Sequence, residues 1–380
     1  MSSRCADSSR RWRAVAERHS DQRPARLASL RDALQKAHLD GLLLTGLANI
    51  RYLTGFSGTS ALAFVTQREM VFLTDFRYET QVEEEVGAFA QVHIESQSLW
   101  SGLWAALPQL ANVEVTGFES SHLEHRDFQR LLEAGARWQW RPTSDLVETL
   151  RERKDAGELA LIQRAADVAC AALEKTVPQL HAGMTENQVA GALERELREA
   201  GSEGFPFPTI VASGERSALP HARSSARKLR AGDFLLIDFG AEVAGYCSDV
   251  TRTFVVGRAT DEQRAVHDVV RSANRLAASA VRAGMRGRDA DGLARDYIER
   301  CGYGALFGHS LGHGIGLEVH ESPRLAKTAE AVLPPDSVVT IEPGIYRPGW
   351  GGVRVEDDVH LGSAGPNLLT RFPRELLELS

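Results

Sequence analysis

Residues 234–256 read FLLIDFGAEVAGYCSDVTRTFVV and set two aspartates, Asp238 and Asp249, inside apolar runs. Phe234 to Phe239 and Thr251 to Val256 have the β-branched and aromatic content of strands, and Glu242 to Gly245 offers a Gly-containing turn. A hairpin folded symmetrically about Val243 and Ala244 sets Asp238 opposite Asp249. Two facing carboxylates repel, and they tolerate burial where a cation bridges them. Neither strand supplies a basic partner for the pair. Taken alone, the pair fits a cation site and the wet face of an edge hairpin equally well.

Downstream, the chain repeats the pattern of charge in apolar surroundings. His309 to Gly316 (HSLGHGIG) packs two histidines and three glycines into a short loop, and Leu317 to Glu321 brings His320 close behind. Glycines let backbone and ligand approach closely, and imidazole both binds first-row metals and shuttles protons near neutral pH. Thr340 to Gly344 (TIEPG) and Gly352 to Asp358 (GVRVEDD) each place a glutamate, Glu342 and Glu356, after a β-branched apolar residue. Strand alternation puts Arg354 and Glu356 on one face. Any one of these residues fits a structural role by itself. Together, Asp238, Asp249, Glu342, Glu356 and His313 supply four carboxylates and an imidazole, a donor set that suits two Mn-, Co- or Zn-like ions better than one closed structural zinc. Two ions ~3.5–4 Å apart would hold a bridging hydroxide and polarise a scissile carbonyl, which is hydrolase chemistry.

Upstream, Leu27, Leu30 and Leu34 fall at helical spacing before the apolar run Gly41 to Leu44, a buried strand. Ala61 to Val65 and Met70 to Leu73 read as further strands and Glu79 to Val86 as a helix, so the first part of the chain is α/β. Asn49 to Gly58 reads as an apolar strand and turn. This unit is expected to end near Trp138 to Pro142. Thr143-Ser144-Asp145 precedes a long amphipathic stretch carrying Leu159, Ile162, Ala166 and Ala169, and a second domain is expected from about Arg151. The expected organisation is a disordered tail over 1–22, a first domain over 23–150 and a second over 151–380.

The 380 residues are 43% hydrophobic, enough for two domains with cores of their own. The formal charge of -7 is mild, and its signs are interleaved, so no nucleic-acid footprint appears. Cys5, Cys170, Cys247 and Cys301 lack the spacing of a disulfide framework or a zinc knuckle. The Arg/Ser-rich start has no apolar h-region, and no apolar run reaches the ~20 residues that span a bilayer. A cytoplasmic protein acting on a small or peptidic partner is the expectation. A serine hydrolase lacks its G-x-S-x-G elbow, and Cys247 sits in an apolar strand where packing is the better reading.

The five-residue donor set, in this order and with these neighbours, resembles the pita-bread metallopeptidase family, which includes methionine aminopeptidase, aminopeptidase P, prolidase and the metal-free creatinase. The likeness covers the whole second domain. It implies an α+β protein: a C-terminal pita-bread domain preceded by a creatinase-like α/β N-terminal domain. It implies two divalent ions, most in keeping with Mn and admitting Co or Zn, on Asp238, Asp249, His313, Glu342 and Glu356. Ser217 to His221 is similar to the proline-specific branch, which implies that His221 and His320 hydrogen-bond the substrate around the scissile carbonyl. It also makes His309 an active-site histidine, Glu342 the proton carrier, and Tyr346 and Arg354 the buttress of the first metal-binding aspartate.

The run Asn49 to Gly58 followed by Phe72 to Tyr78 looks like the N-terminal domain of aminopeptidase P, with Phe76 standing where relatives usually have glycine. The function implied is hydrolysis of the Xaa-Pro bond at peptide N-termini, as an aminopeptidase. A strict Xaa-Pro dipeptidase and a catalytically idle binding member are the alternatives. Proline-containing peptides are the expected partners, with no nucleic acid or membrane, and a homodimer is implied.

Overall fold

A computed structural model describes residues 21–380, so the expected tail lies outside the described residues apart from Asp21 and Gln22. The chain divides into two compact units, one running to Arg151 and the other from Glu152 to Ser380.

The first unit opens with the helix Arg23–Lys36, whose Leu27, Leu30 and Leu34 are buried. Six strands follow: β1 (Gly41–Leu44), β2 (Ala61–Thr66), β3 (Met70–Asp75), β4 (Gln91–Glu95), β5 (Val115–Glu119) and β6 (Gln139–Thr143). They form one sheet in the order β4-β3-β2-β1-β5-β6. Trp138 to Pro142, near which the unit is expected to end, runs into its edge strand β6, paired in parallel with β5. The unit then closes with the short helix Leu146–Arg151. Asn49 to Thr54 is helical rather than a strand: the helix Leu47–Thr54 ends on Gly55 at φ +82°. The Glu119 carboxylate, arriving from β5, accepts the Thr45 and Gly46 amides at the start of that helix and Asn49 Nδ2 in its first turn. A remote acid thus satisfies amide donors at the helix start, which no local pattern announces. Phe76 heads a single 3-10 turn, and it is absent from the residues at positive φ, so the backbone there does not call for glycine.

In the second unit the long helix is Ala156–Thr176, not a continuation from Thr143. Asp155 and Glu158 cap it reciprocally. A four-stranded sheet runs β19-β11-β8-β7, from β7 (Ile210–Ser213), β8 (Phe234–Phe239), β11 (Val250–Val256) and β19 (Glu378–Leu379). The tip of the β8–β11 hairpin is a two-stranded ribbon, β9 (Glu242–Val243) with β10 (Tyr246–Cys247). A five-stranded sheet runs β13-β12-β14-β17-β18, from β12 (Gly312–Gly314), β13 (Glu321–Leu325), β14 (Val338–Ile341), β17 (Asp357–Gly362) and β18 (Gly365–Leu368). A separate ribbon pairs β15 (Gly344–Arg347) with β16 (Gly351–Arg354). The helices Asp261–Ala280 and Gly287–Arg300 pack on this strand system through Val266, Val270, Ala273, Ala277, Ala290 and Ala294.

Candidate functional site

The hairpin that carries the aspartates is shifted from the expected register. Its turn is Ala244-Gly245, both at positive φ (47° and 76°), so Asp238 faces Thr251 rather than Asp249. The shift is two residues along the strand, which keeps Asp249 on the diagonal and on the same face of a period-two ladder. Arg252, the neighbouring strand residue, points elsewhere and pairs with buried Asp357 at 2.7 Å.

The glutamates come from a second hairpin. The β14–β17 ladder pairs Ile341 with Asp357, and the β15–β16 ladder pairs Gly344 with Arg354 in the same register. Both glutamates therefore sit just beyond strand ends, in the gap between two ladders, rather than within strands. His313 enters from β12. A Cβ on Gly312 would collide with the Thr340 carbonyl, so glycine is what lets this strand close on β14. His313 Nδ1 lies 3.0 Å from the Gly314 carbonyl, and since a carbonyl only accepts, Nδ1 carries the proton and Nε2 offers its lone pair. That Nε2 stands 3.5 Å from Glu342 Oε1 and 3.8 Å from Asp249 Oδ2. Donor atoms of Asp249, His313 and Glu356 all lie within 4.8 Å of one another.

Asp238 joins through Arg354, whose Nη2 donates to Asp238 Oδ2. Arg354 Nη1 also donates to the Tyr346 hydroxyl at 2.7 Å, and that hydroxyl donates to His309 Nε2 at 3.0 Å. The His309 Nδ1 proton goes to the Ser310 carbonyl at 2.8 Å, which fixes the direction of the whole chain. The His320 ring packs tilted against the His313 ring, with centroids 4.4 Å apart. His221 is exposed; burial is what chiefly lowers His309 and His320, and the His221 imidazole adds a smaller push in the same direction.

Charge in this cluster is uncomfortable without a counter-ion. Burial first, then the charges of Glu356 and Asp238, pushes the Asp249 carboxyl well above its ordinary range. Burial and the Glu342 charge do the same to Glu356. Glu342 is raised to about 8, by burial against the opposing pull of Arg354. Burial holds His313 and His309 down to about 4, so both are neutral bases at physiological pH. Asp238 Oδ1 and Asp249 Oδ1 are buried and accept no hydrogen bond. Orphaned carboxylate oxygens beside a neutral imidazole fit divalent cations, because a cation satisfies oxygens that no N–H reaches. Cys247 is excluded as a nucleophile, since burial raises its thiol well above the ordinary value.

Three residues escaped the reading of the sequence. Thr251 donates to Glu356 Oε2 at 2.6 Å and accepts from Arg354 Nε at 3.0 Å. The Thr340 hydroxyl accepts from the His313 amide at 3.1 Å. Asp358 Oδ2 accepts from the Asp249 amide at 3.1 Å. The one available signal was position: each lies one or two residues from an acid already singled out, or faces it across a ladder. Elsewhere, Glu119, His122 and Glu148 also gather within metal-ligand spacing in the first unit.

Residues 160–363 match the model of metallopeptidase family M24, and residues 26–153 match that of the creatinase/prolidase N-terminal domain. The Xaa-Pro dipeptidase of Pyrococcus furiosus is 35% identical over 357 residues, covering 93% of this chain and 99% of the relative. Among solved structures, the Xaa-Pro dipeptidase from Bacillus anthracis superposes with a TM-score of 0.91 at 39% identity, covering 94% of this chain and 100% of that one. The X-Pro aminopeptidase from Thermotoga maritima gives a TM-score of 0.85 at 36% identity, covering 92% and 98%. Among the described residues, no helix is long and apolar enough to cross a membrane.

Proposed function

We propose that this chain, which belongs to metallopeptidase family M24 and carries a creatinase/prolidase N-terminal domain, is a hydrolase that cleaves the bond preceding proline at peptide N-termini. The observation that carries the reading is the convergence of Asp249, His313 and Glu356 donor atoms beside carboxylate oxygens that no protein group satisfies. Asp238, Asp249, His313, Glu342 and Glu356 would hold two divalent ions, with Mn the preferred occupant and Co or Zn also accommodated by this donor set. When bound, such ions polarise a carbonyl and acidify water.

The protein's own groups do the rest. Glu342 handles the proton, taking it from the attacking water and giving it to the departing proline nitrogen; without that transfer the amide would leave as a strong base. Its Oε2 lies 4.0 Å from His309 Nδ1 and its Oε1 3.5 Å from His313 Nε2, which sets the carboxylate between two of the site's imidazoles. His320 and His221 hydrogen-bond the substrate at that carbonyl. Arg354 and Tyr346 keep Asp238 and His309 oriented and take no part in bond making.

The aminopeptidase reading is retained for peptides longer than two residues. A strict dipeptidase is the second reading, favoured by the names of the Pyrococcus furiosus and Bacillus anthracis relatives. A cytoplasmic homodimer is proposed with either. Metal-stripped protein reloaded with Mn, Co or Zn and offered Xaa-Pro, Xaa-Pro-Xaa and Xaa-Ala-Xaa peptides decides between them. Hydrolysis of both proline peptides and not of the alanine peptide is expected. Cleavage of the dipeptide alone overturns the aminopeptidase reading, and equal cleavage of the alanine peptide overturns proline specificity.

A further inference from the structure

The helix Asp261–Ala280 presents Val266, Val270, Ala273 and Ala277 to an apolar core, and among them Asn274 is fully buried. An amide in such a layer is disfavoured unless its polar atoms are met. Its Nδ2 donates to the Ile341 carbonyl at 2.8 Å and to the Val355 carbonyl at 3.1 Å. Its Oδ1 accepts nothing, so the side chain keeps a desolvated acceptor in order to present two donors. The reverse orientation of the amide would set oxygen against two carbonyl oxygens, which fixes the assignment.

Ile341 and Val355 are the residues immediately before Glu342 and Glu356. They border the gap between the β14–β17 and β15–β16 ladders, where one strand pair stops and the next begins. Across that gap the Val355 amide reaches the Pro343 carbonyl only at 3.5 Å. One side chain from a packed helix therefore ties together the two backbone points from which the glutamates project.

We propose that Asn274 is a positioning residue that clamps the backbone behind Glu342 and Glu356 and thereby sets the spacing of their carboxylates for divalent cations. The inference rests on the reading that these two glutamates are metal ligands. A tie that served the fold alone would change the melting temperature and leave cation affinity untouched.

The test uses full-length, metal-stripped protein titrated with Mn2+ in a calorimeter, with circular dichroism as the check on folding. Asn274→Leu keeps the branched outline of the side chain and removes both donors. It is expected to raise the dissociation constant of at least one ion about tenfold or more, as losses behind metal ligands commonly do. It should also lower kcat at limiting Mn2+ with little change in KM, and excess Mn2+ should restore much of the loss. Val270→Ala, on the same helix in the same core, is the matched control: a lower melting temperature at parental affinity is expected. A folded Asn274→Leu that binds both ions like the parent overturns the clamp. Should that variant not fold, Asn274→Ala, which also lacks both donors, takes its place, and parental affinities there overturn the clamp equally. A parent chain that takes up no divalent ion overturns the ligand assignment itself, a result distinguishable from failure of the clamp alone.

Discussion

Glu342 faces Glu356 across an interruption in a single antiparallel register, so two like charges are held opposite each other where the strands let go of one another. The arrangement makes the two sides of Glu342 separable. Glu342→Gln keeps the shape, removes a charge from a repelling cluster and abolishes the proton carrier. Turnover should fall at least ~100-fold, while the melting temperature of the metal-free protein should rise or hold. Steady-state kinetics and thermal melts on one preparation check both. Wild-type turnover would remove Glu342 from the mechanism.

Thr251 is the hinge between the two acidic hairpins, because its hydroxyl gives to Glu356 and receives from Arg354. Thr251→Val preserves the shape and deletes both bonds. Affinity for divalent cations should weaken by about 10–100-fold, read by competition with a fluorescent chelator. Unchanged affinity would show that the glutamate is oriented without it.

The acidic cluster gives the metal-free protein an unusual response to pH. The folded-state Glu342 carboxyl is raised to about 8 from an ordinary value of 4.5, and Asp249 and Glu356 move the same way. A raised folded value means that the native chain binds protons the unfolded chain releases. The stabilisation is then complete below the ordinary carboxylate range and is lost as the pH climbs to about 8. Chelator-treated protein should melt at progressively lower temperature across that window. Saturating Mn2+ should flatten the slope and release protons on binding. A metal-free protein whose melting temperature is flat from about pH 5 to pH 9 would contradict the charge cluster.

His267 should act in the opposite direction. Burial holds its imidazole down to about 4 from 6.5, so its contribution is present above the ordinary histidine range and is lost as the pH falls toward 4. The difference amounts to at most about 3 kcal/mol. His267→Leu should shallow the acid limb of a pH–stability curve measured with denaturant. An unchanged limb would assign acid unfolding to other groups.

Much of this architecture could be read from the chain. The strand carrying Asp238 showed as an acid in an apolar run and the first helix as leucines at helical spacing, whereas Asp249, expected on a strand, lies just ahead of β11. What stayed hidden depends on distant or conformational terms. The hairpin register turns on Ala244 adopting φ +47°, which an alanine seldom does. The helix Leu47–Thr54 rests on a glutamate 70 residues downstream of its Asn49. Asn274 reads locally as one more polar residue on a helix, although its place four residues after Val270 on the buried face was a visible anomaly. Its partners are backbone atoms, and backbone partners leave no mark on residue type.

The proposed carboxylates are split between the β8–β11 hairpin and the later hairpin that carries Glu342 and Glu356, with His313 coming from β12 between them and the Thr251–Glu356 and Arg354–Asp238 contacts joining the two. During synthesis the earlier half emerges first and presents carboxylates with no opposite number. On the proposed ligand assignment, selective cation capture waits until the later hairpin has been made. A product lacking the later hairpin would carry only Asp238 and Asp249 of the four proposed carboxylates, so under that assignment the order of translation guards against a half-made metal centre.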